Sequence, residues 1–237
     1  VHTVDYYVDL VGRMAEFGAD SICIKDMAGV LTPQTGYELV SRIKEKTDLP
    51  LEVHTHATSG ISEMTYLKVA EAGADIIDTC LSSFSGGTSQ PATESMVLSL
   101  EELGFNTGVD MKKVEEATAH FNGIRDKFRA EGILNPKVKD TEPKTLIYQV
   151  PGGMLSNLLS QLTEQGLADK YDEVLAEVPK VRADLGYPPL VTPLSQMVGT
   201  QAVMNVISGE RFKLVPKEIK DYVLGLYGQA PAEINPE

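Results

Sequence analysis

A six-residue pattern occurs twice in this chain. Ala15-Glu16-Phe17-Gly18-Ala19-Asp20 returns at position 70 as Ala70-Glu71-Ala72-Gly73-Ala74-Asp75, an offset of 55 residues. Before each copy the apolar residues fall on one side of a helix. After each copy comes a short apolar run. The pattern therefore marks a helix ending and a strand beginning. One full strand–helix unit separates the copies, so a unit takes about half of that offset, the size of a βα module. A chain built this way is held to a parallel sheet with helices on both faces.

The elements follow in order. Thr3 caps a helix whose apolar positions are Val4, Tyr7, Val8, Val11, Met14 and Ala15, the three-four spacing of a one-sided helix. Gly18 is placed to end it. Residues Ser21 to Lys25 read as a strand. Thr32-Pro33 opens a second helix with a cap and a proline at its first position, and Tyr37, Val40 and Ile43 form its stripe. Leu49 to His56 reads as the second strand, Ile61 to Ala72 as the third helix and Ile76 to Leu81 as the third strand.

Two parallel architectures compete, a doubly wound open sheet and a barrel. A nucleotide-binding open sheet wants a glycine-rich turn after its first strand, and none is present. Polar residues (Lys25, His54, His56, and Thr79 or Thr88) instead gather at strand ends, where barrel enzymes place their chemistry. The expected fold class is α/β, the C-terminal portion of a TIM (β/α)8 barrel, about strands six to eight. Residues 1–97 are read as this partial barrel, 98–228 as a mostly helical, funnel-like extension, and 229–237 as a linker tail. In the extension, Asp110 caps a helix bearing Val114, Ala117, Phe121, Ile124 and Phe128. Others start near Met154, at Thr192-Pro193 (ended by Gly209) and over Pro216 to Tyr227, while Pro136 to Lys144 is a polar linker. The chain opens directly on a helix without an initiator methionine, which suggests that its front is missing.

The net charge of -13 repels nucleic acid and favours solubility. No apolar run approaches the length of a membrane span, and no secretory signal opens the chain. Cys23 and Cys80 each lie in a strand-like run and read as buried reduced thiols, which fits a cytoplasmic setting.

The chemistry centres on His54-Thr55-His56. Side chains alternate along a strand, so the two imidazoles face the same way and form a pair of metal ligands. Neutral imidazole suits Zn, Mn, Co or Fe, and two imidazoles need oxygen partners. Lys25, facing a barrel interior, has to be paired, deprotonated or modified. As an amine it forms a Schiff base with a keto acid. As a cation it holds a carboxylate. As a carbamate it becomes an anionic oxygen ligand, the form favoured beside a metal. The loop from Ser85 to Pro91 reads as a tight turn or phosphate cradle, or as a hydroxyl, best Thr88, aimed at the reacting centre. His120, on a helix, reads as a surface or packing residue.

Three motifs together resemble the carboxyltransferase domain of biotin-dependent enzymes, the group of pyruvate carboxylase, the transcarboxylase 5S subunit and the oxaloacetate decarboxylase alpha subunit. They are Ile24-Lys25-Asp26-Met27-Ala28-Gly29, His54-Thr55-His56 and Gly86-Gly87-Thr88-Ser89-Gln90-Pro91. The likeness continues through Val150-Pro151-Gly152-Gly153-Met154 and Gly186-Tyr187-Pro188-Pro189-Leu190-Val191-Thr192-Pro193. The resemblance implies that Lys25, as a carbamate, and His54 and His56 bind one divalent metal (Zn, Mn, Co or Mg), a fourth ligand being an aspartate on a strand this chain lacks. It implies transfer of a carboxyl group between biotin and pyruvate or oxaloacetate through a metal-stabilised enolate. Lys25 and Thr88 would be catalytic, Thr88 as the proton relay, with Thr88, Ser89 and Gln90 meeting biotin. Biotin would ride on a separate carrier domain. Implied partners are that carrier, further copies of the chain and membrane decarboxylase subunits. Ala57 departs from the family, whose members carry an aspartate directly after the second histidine. The alternatives are a metal-dependent lyase or Claisen-type synthase, a Schiff-base aldolase, and an inactive truncated assembly module.

Overall fold

The computed structural model describes residues 2–134, 139–148 and 150–236. The chain forms two compact units, His2–Leu146 and the residues from Ile147 onward.

In the first unit, α1 (Val4–Glu16) is capped as expected, the Thr3 hydroxyl accepting the Tyr6 N–H at 3.2 Å. Strand β1 (Ile22–Asp26), α2 (Pro33–Lys46), β2 (Leu51–Thr55), α3 (Ser62–Glu71) and β3 (Ile76–Ile77) follow. The strands pair in parallel in the order β1-β2-β3, with Lys25 opposite His54 and Val53 opposite Ile77. The repeated hexapeptide is a helix terminator. Gly18 N–H bonds the Ala15 carbonyl and Ala19 N–H the Met14 carbonyl, and Gly73 and Ala74 bond Ala70 and Val69 in the same way. Both glycines have positive φ, 87° and 103°, so each copy closes its helix in a Schellman turn. Asp75, the last residue of the second copy, then accepts the Leu51 N–H at 2.8 Å and the Lys44 ammonium at 2.9 Å, tying the start of β2.

Apolar residues from the sheet and its helices make one core in this unit. Val40, Leu51, Val53, Tyr66 and Val69 are wholly buried. Each aliphatic side chain so removed from water contributes on the order of 1.5–3 kcal/mol before entropic costs.

The third strand is shorter than its sequence suggests. Regular pairing stops at Ile77 rather than Leu81, and only an isolated bridge joins Cys80 to Ala92. The physical reason is Tyr66. Its hydroxyl accepts the Thr55 N–H at 3.0 Å and donates to the Asp78 carbonyl at 2.6 Å, taking up the groups that would extend the ladder. Helices α4 (Thr93–Glu102) and α5 (Met111–Ala130) complete the unit, and α6 (Thr145–Tyr148) spans its boundary. Asp110 caps α5 through its carboxylate, but no residue of α5 is fully buried. Pro136, Lys137 and Val138, at the start of the expected polar linker, lie outside the described residues.

The expectation of two buried thiols is corrected. Cys80 is half-buried and Cys23 is exposed, both unbridged. Cys23 lies on the polar side of β1, where its thiol donates to Glu52 at 3.3 Å. Partial burial and the Glu52 carboxylate push this thiol up to about 11.

The second unit is helical: α7 (Gly152–Glu164), a 3-10 turn at Ala168–Lys170, α8 (Tyr171–Asp184), α9 (Leu194–Ser208) and α10 (Lys217–Val223). Helix α8 has no clear signal in the sequence because Pro179 interrupts it, yet Val174, Leu175, Val178 and Val181 are buried. Gly209, in the left-handed region, ends α9 as expected. The last helix ends at Val223, short of the expected Tyr227. The segment after Gly228 is tied down: Ala232 N–H bonds the Gly186 carbonyl, Asn235 N–H bonds the Asp184 carbonyl, and Ile234 packs on the core.

Candidate active site

Strand period divides β2 cleanly. Leu51, Val53 and Thr55 are buried in the core, whereas Glu52 and His54 face the other way, with His56 one step beyond the strand. The register puts Cys23 beside Glu52 and Lys25 beside His54, so one face of the sheet is polar.

The two imidazoles lie together, ring centroids 5.1 Å apart. Metal–nitrogen bonds of about 2.1 Å place two adjacent imidazole ligands on the order of 5 Å apart between centroids, so the pair suits one ion. His54 is oriented by a residue the sequence reading does not single out. Its Nδ1 lies 2.7 Å from the Asp78 carboxylate, which orients the ring and turns Nε2 away from that carboxylate. The Gln90 amide nitrogen lies 3.3 Å from that Nε2. Nδ1 of His56 is buried and makes no hydrogen bond among the described residues, an unmet need of the kind a ligand satisfies. Burial holds the His56 ring below its usual range, and the neighbouring His54 adds to this, while the Thr88 backbone works against it. The ring is thereby kept neutral, the form that ligates.

Lys25 is exposed rather than enclosed. It stands on the polar face of β1, level with His54. Its need for a buried partner, expected from an interior position, does not arise here. Among the described residues no group of three or more His, Cys, Asp or Glu is arranged to hold a metal. An ion held by the two imidazoles would need its oxygen donors from other groups.

Two loops frame the pair. In the first, Asp26 is a clamp: its carboxylate accepts the Val30 N–H at 3.1 Å, the Leu31 N–H at 2.8 Å and the Thr55 hydroxyl at 2.8 Å. Gly29, at φ 67°, lets the loop pass against the His56 carbonyl, and the Ser59 hydroxyl donates to the Gly29 carbonyl. In the second, Ala57 N–H bonds the Ser89 carbonyl at 2.7 Å and the Thr58 hydroxyl bonds the Gly87 carbonyl at 3.1 Å. Ser89 donates to the Gln90 side chain at 3.3 Å. Ala57 itself is buried, so the carboxylate of this site comes from Asp78 and not from position 57. His120 is exposed on α5, edge-on to Phe121.

Residues 2–120 match the HMGL-like family, and residues 145–237 match a conserved carboxylase domain. The chain belongs to the HMGL-like family. Among relatives of this HMGL-like chain, a pyruvate carboxylase subunit of Methanocaldococcus jannaschii is 56% identical over 237 residues, covering all of this chain and 41% of that protein. The methylmalonyl-CoA carboxyltransferase 5S subunit of Propionibacterium freudenreichii subsp. shermanii is 46% identical over 247 residues, covering all of this chain and 46% of that one. Among solved structures, the carboxyl transferase domain of Rhizobium etli pyruvate carboxylase with pyruvate matches with a TM-score of 0.90 at 30% identity, over 96% of this chain and 39% of that one. The HMGL-like chain thus spans less than half the length of these relatives. Among its described residues no helix is long and apolar enough to cross a membrane.

Proposed function

We propose that this chain is part of a biotin-dependent carboxyltransferase that moves a carboxyl group between biotin and pyruvate or oxaloacetate. The observation that carries the reading is the His54–His56 pair, aimed by Asp78 and in register with Lys25, in a chain where HMGL-like and conserved carboxylase segments follow one another. On this reading β1 to β3 are about strands six to eight of a (β/α)8 barrel, and biotin arrives on a separate carrier domain.

His54 and His56 would hold one divalent metal, with a Lys25 carbamate as the anionic oxygen ligand. When bound, the metal supplies a Lewis acid that polarises the carbonyl of the 2-keto acid. The chain's own residues prepare the place. Asp78 orients the ring of His54 and so presents Nε2. Burial keeps His56 uncharged. The Ser85–Pro91 loop, fastened to Ala57 and Thr58, covers the histidines and brings Gln90 beside them. The proton relay assigned to Thr88 is supported by the resemblance.

Elemental analysis of the purified protein tests the reading. We expect stoichiometric Zn, Mn or Co that is lost on His54→Ala, and a carbon-13 carbamate resonance, raised with labelled bicarbonate, that is lost on Lys25→Arg. A well-folded protein that takes up no metal under any loading condition would falsify the assignment. Asp78→Asn is expected to weaken metal binding about 10–100-fold, the usual effect of removing a histidine's orienting carboxylate, with little change in unfolding temperature.

A further inference from the structure

Tyr66 is fully buried on α3, and its hydroxyl is its one polar side-chain group. A buried phenol is retained only where its oxygen has partners, and here the partners are informative. In a parallel ladder the residue opposite two neighbours gives its N–H to one and its carbonyl to the other. Asp78 N–H does bond the Val53 carbonyl at 3.2 Å. The matching bond, from Thr55 N–H to the Asp78 carbonyl, is not made. The Tyr66 oxygen stands between them instead, 3.0 Å from the Thr55 nitrogen and 2.6 Å from the Asp78 oxygen.

We propose that the Tyr66 hydroxyl is a wedge in the β2–β3 ladder that sets the spread of the two strand ends and thereby aims the Asp78 carboxylate at His54. Thr55 lies between the two histidines, and Asp78 carries the carboxylate that orients the first of them. A bridge between those two backbones therefore fixes the separation on which the His54 Nδ1–Asp78 contact of 2.7 Å depends. The same Thr55 reaches the other way, its hydroxyl donating to Asp26, the residue after Lys25. One band of hydrogen bonds thus crosses the ends of all three strands, joining those that carry the candidate ligands to the one that leads into Asp78. Burial also raises the phenol's pKa, so it stays protonated and can donate to the carbonyl while accepting the amide. Tyr66 is a positioning residue: it touches no ligand itself. The inference rests on the metal-site reading for its functional meaning, but its structural content stands apart from it.

The test compares the wild-type chain with Tyr66→Phe by two readouts. The first is the proton resonance of the His54 imidazole N–H in the metal-free protein, assigned by its absence in His54→Ala. The wedge predicts a strongly downfield, slowly exchanging signal in the wild type that is lost or shifted upfield in Tyr66→Phe. The second is Zn(II) titration, where Tyr66→Phe is expected to bind roughly tenfold more weakly, at the lower end of the loss from removing an orienting partner. An unchanged imidazole signal in a folded Tyr66→Phe protein overturns the wedge. Should the wild type bind no zinc, the metal reading fails while the imidazole signal still decides on Tyr66. If Tyr66→Phe does not fold, 3-fluorotyrosine at position 66 replaces it. That residue keeps the shape and makes the hydroxyl a stronger donor and weaker acceptor. A shifted His54 signal then supports the wedge, and an unmoved one overturns it.

Discussion

Gly29→Ala is expected to destabilise the first unit by about 3 kcal/mol and to abolish tight metal binding, as measured by urea unfolding and zinc titration. Two costs combine. The backbone at Gly29 has φ 67°, a left-handed conformation that costs a side-chain-bearing residue about 1–2 kcal/mol. An added Cβ would also run into the carbonyl oxygen of His56, a backbone atom with no freedom to retreat. The loop and the second imidazole must then move apart, and the Ser59 contact to the Gly29 carbonyl goes with them. Gly18→Ala is the control. Its φ is 87°, but nothing lies within 4 Å of the new Cβ. It should show the conformational cost alone, about 1 kcal/mol, with metal binding intact. Equal losses for the two variants would mean that contact with His56 is unimportant.

Arg211→Ala should cost about 1–2 kcal/mol in the second unit at neutral pH, less than breaking a fully buried pair because the guanidinium is half-exposed. Glu177 is 6% exposed, and its carboxylate accepts Nε of Arg211 at 2.6 Å and the Asn205 amide at 2.9 Å. Arg211 also reaches Asp184 at 2.6 Å. Removing the guanidinium leaves a nearly buried carboxylate with one amide and a longer contact to Lys180. Burial by itself would raise the Glu177 pKa, but its hydrogen bonds with Arg211 and Asn205 outweigh burial and hold it below the ordinary range. A carboxyl depressed in the folded state stabilises the fold fully above its unfolded pKa, and this contribution fades as pH falls through the folded value. The wild type and Arg211→Ala should therefore differ most at neutral pH and converge in acid. A gap that is constant from neutral to strongly acidic pH would show that the Arg211 side chain acts by packing instead.

The parts of this molecule that can be read from its sequence are those in which one residue type does one local job. Thr3 and Thr32 cap helices, Pro33 opens one, and the twin glycines of the hexapeptide close two. The two histidines share a face because strand period leaves them no choice. Features that depend on register are not legible in this way. Asp78 acquires meaning only once β3 is laid beside β2; before that it is one of many acidic residues. A signal exists, since it ends an apolar run at the level of His54, but only for a reader who already has the pairing. The length of β3 is hidden for a related reason, because the residue that ends it, Tyr66, comes from a helix. Pro179 masks α8, whose core contacts outweigh a missing backbone bond. Lys25 and Cys23 share the polar face of β1, and both are exposed.

The alternation along β2 has an evolutionary consequence. Every second residue anchors the scaffold, and those between them lie outside the buried core. Substitutions at positions 52, 54 and 56 can therefore be sampled in a lineage without risking collapse of the domain.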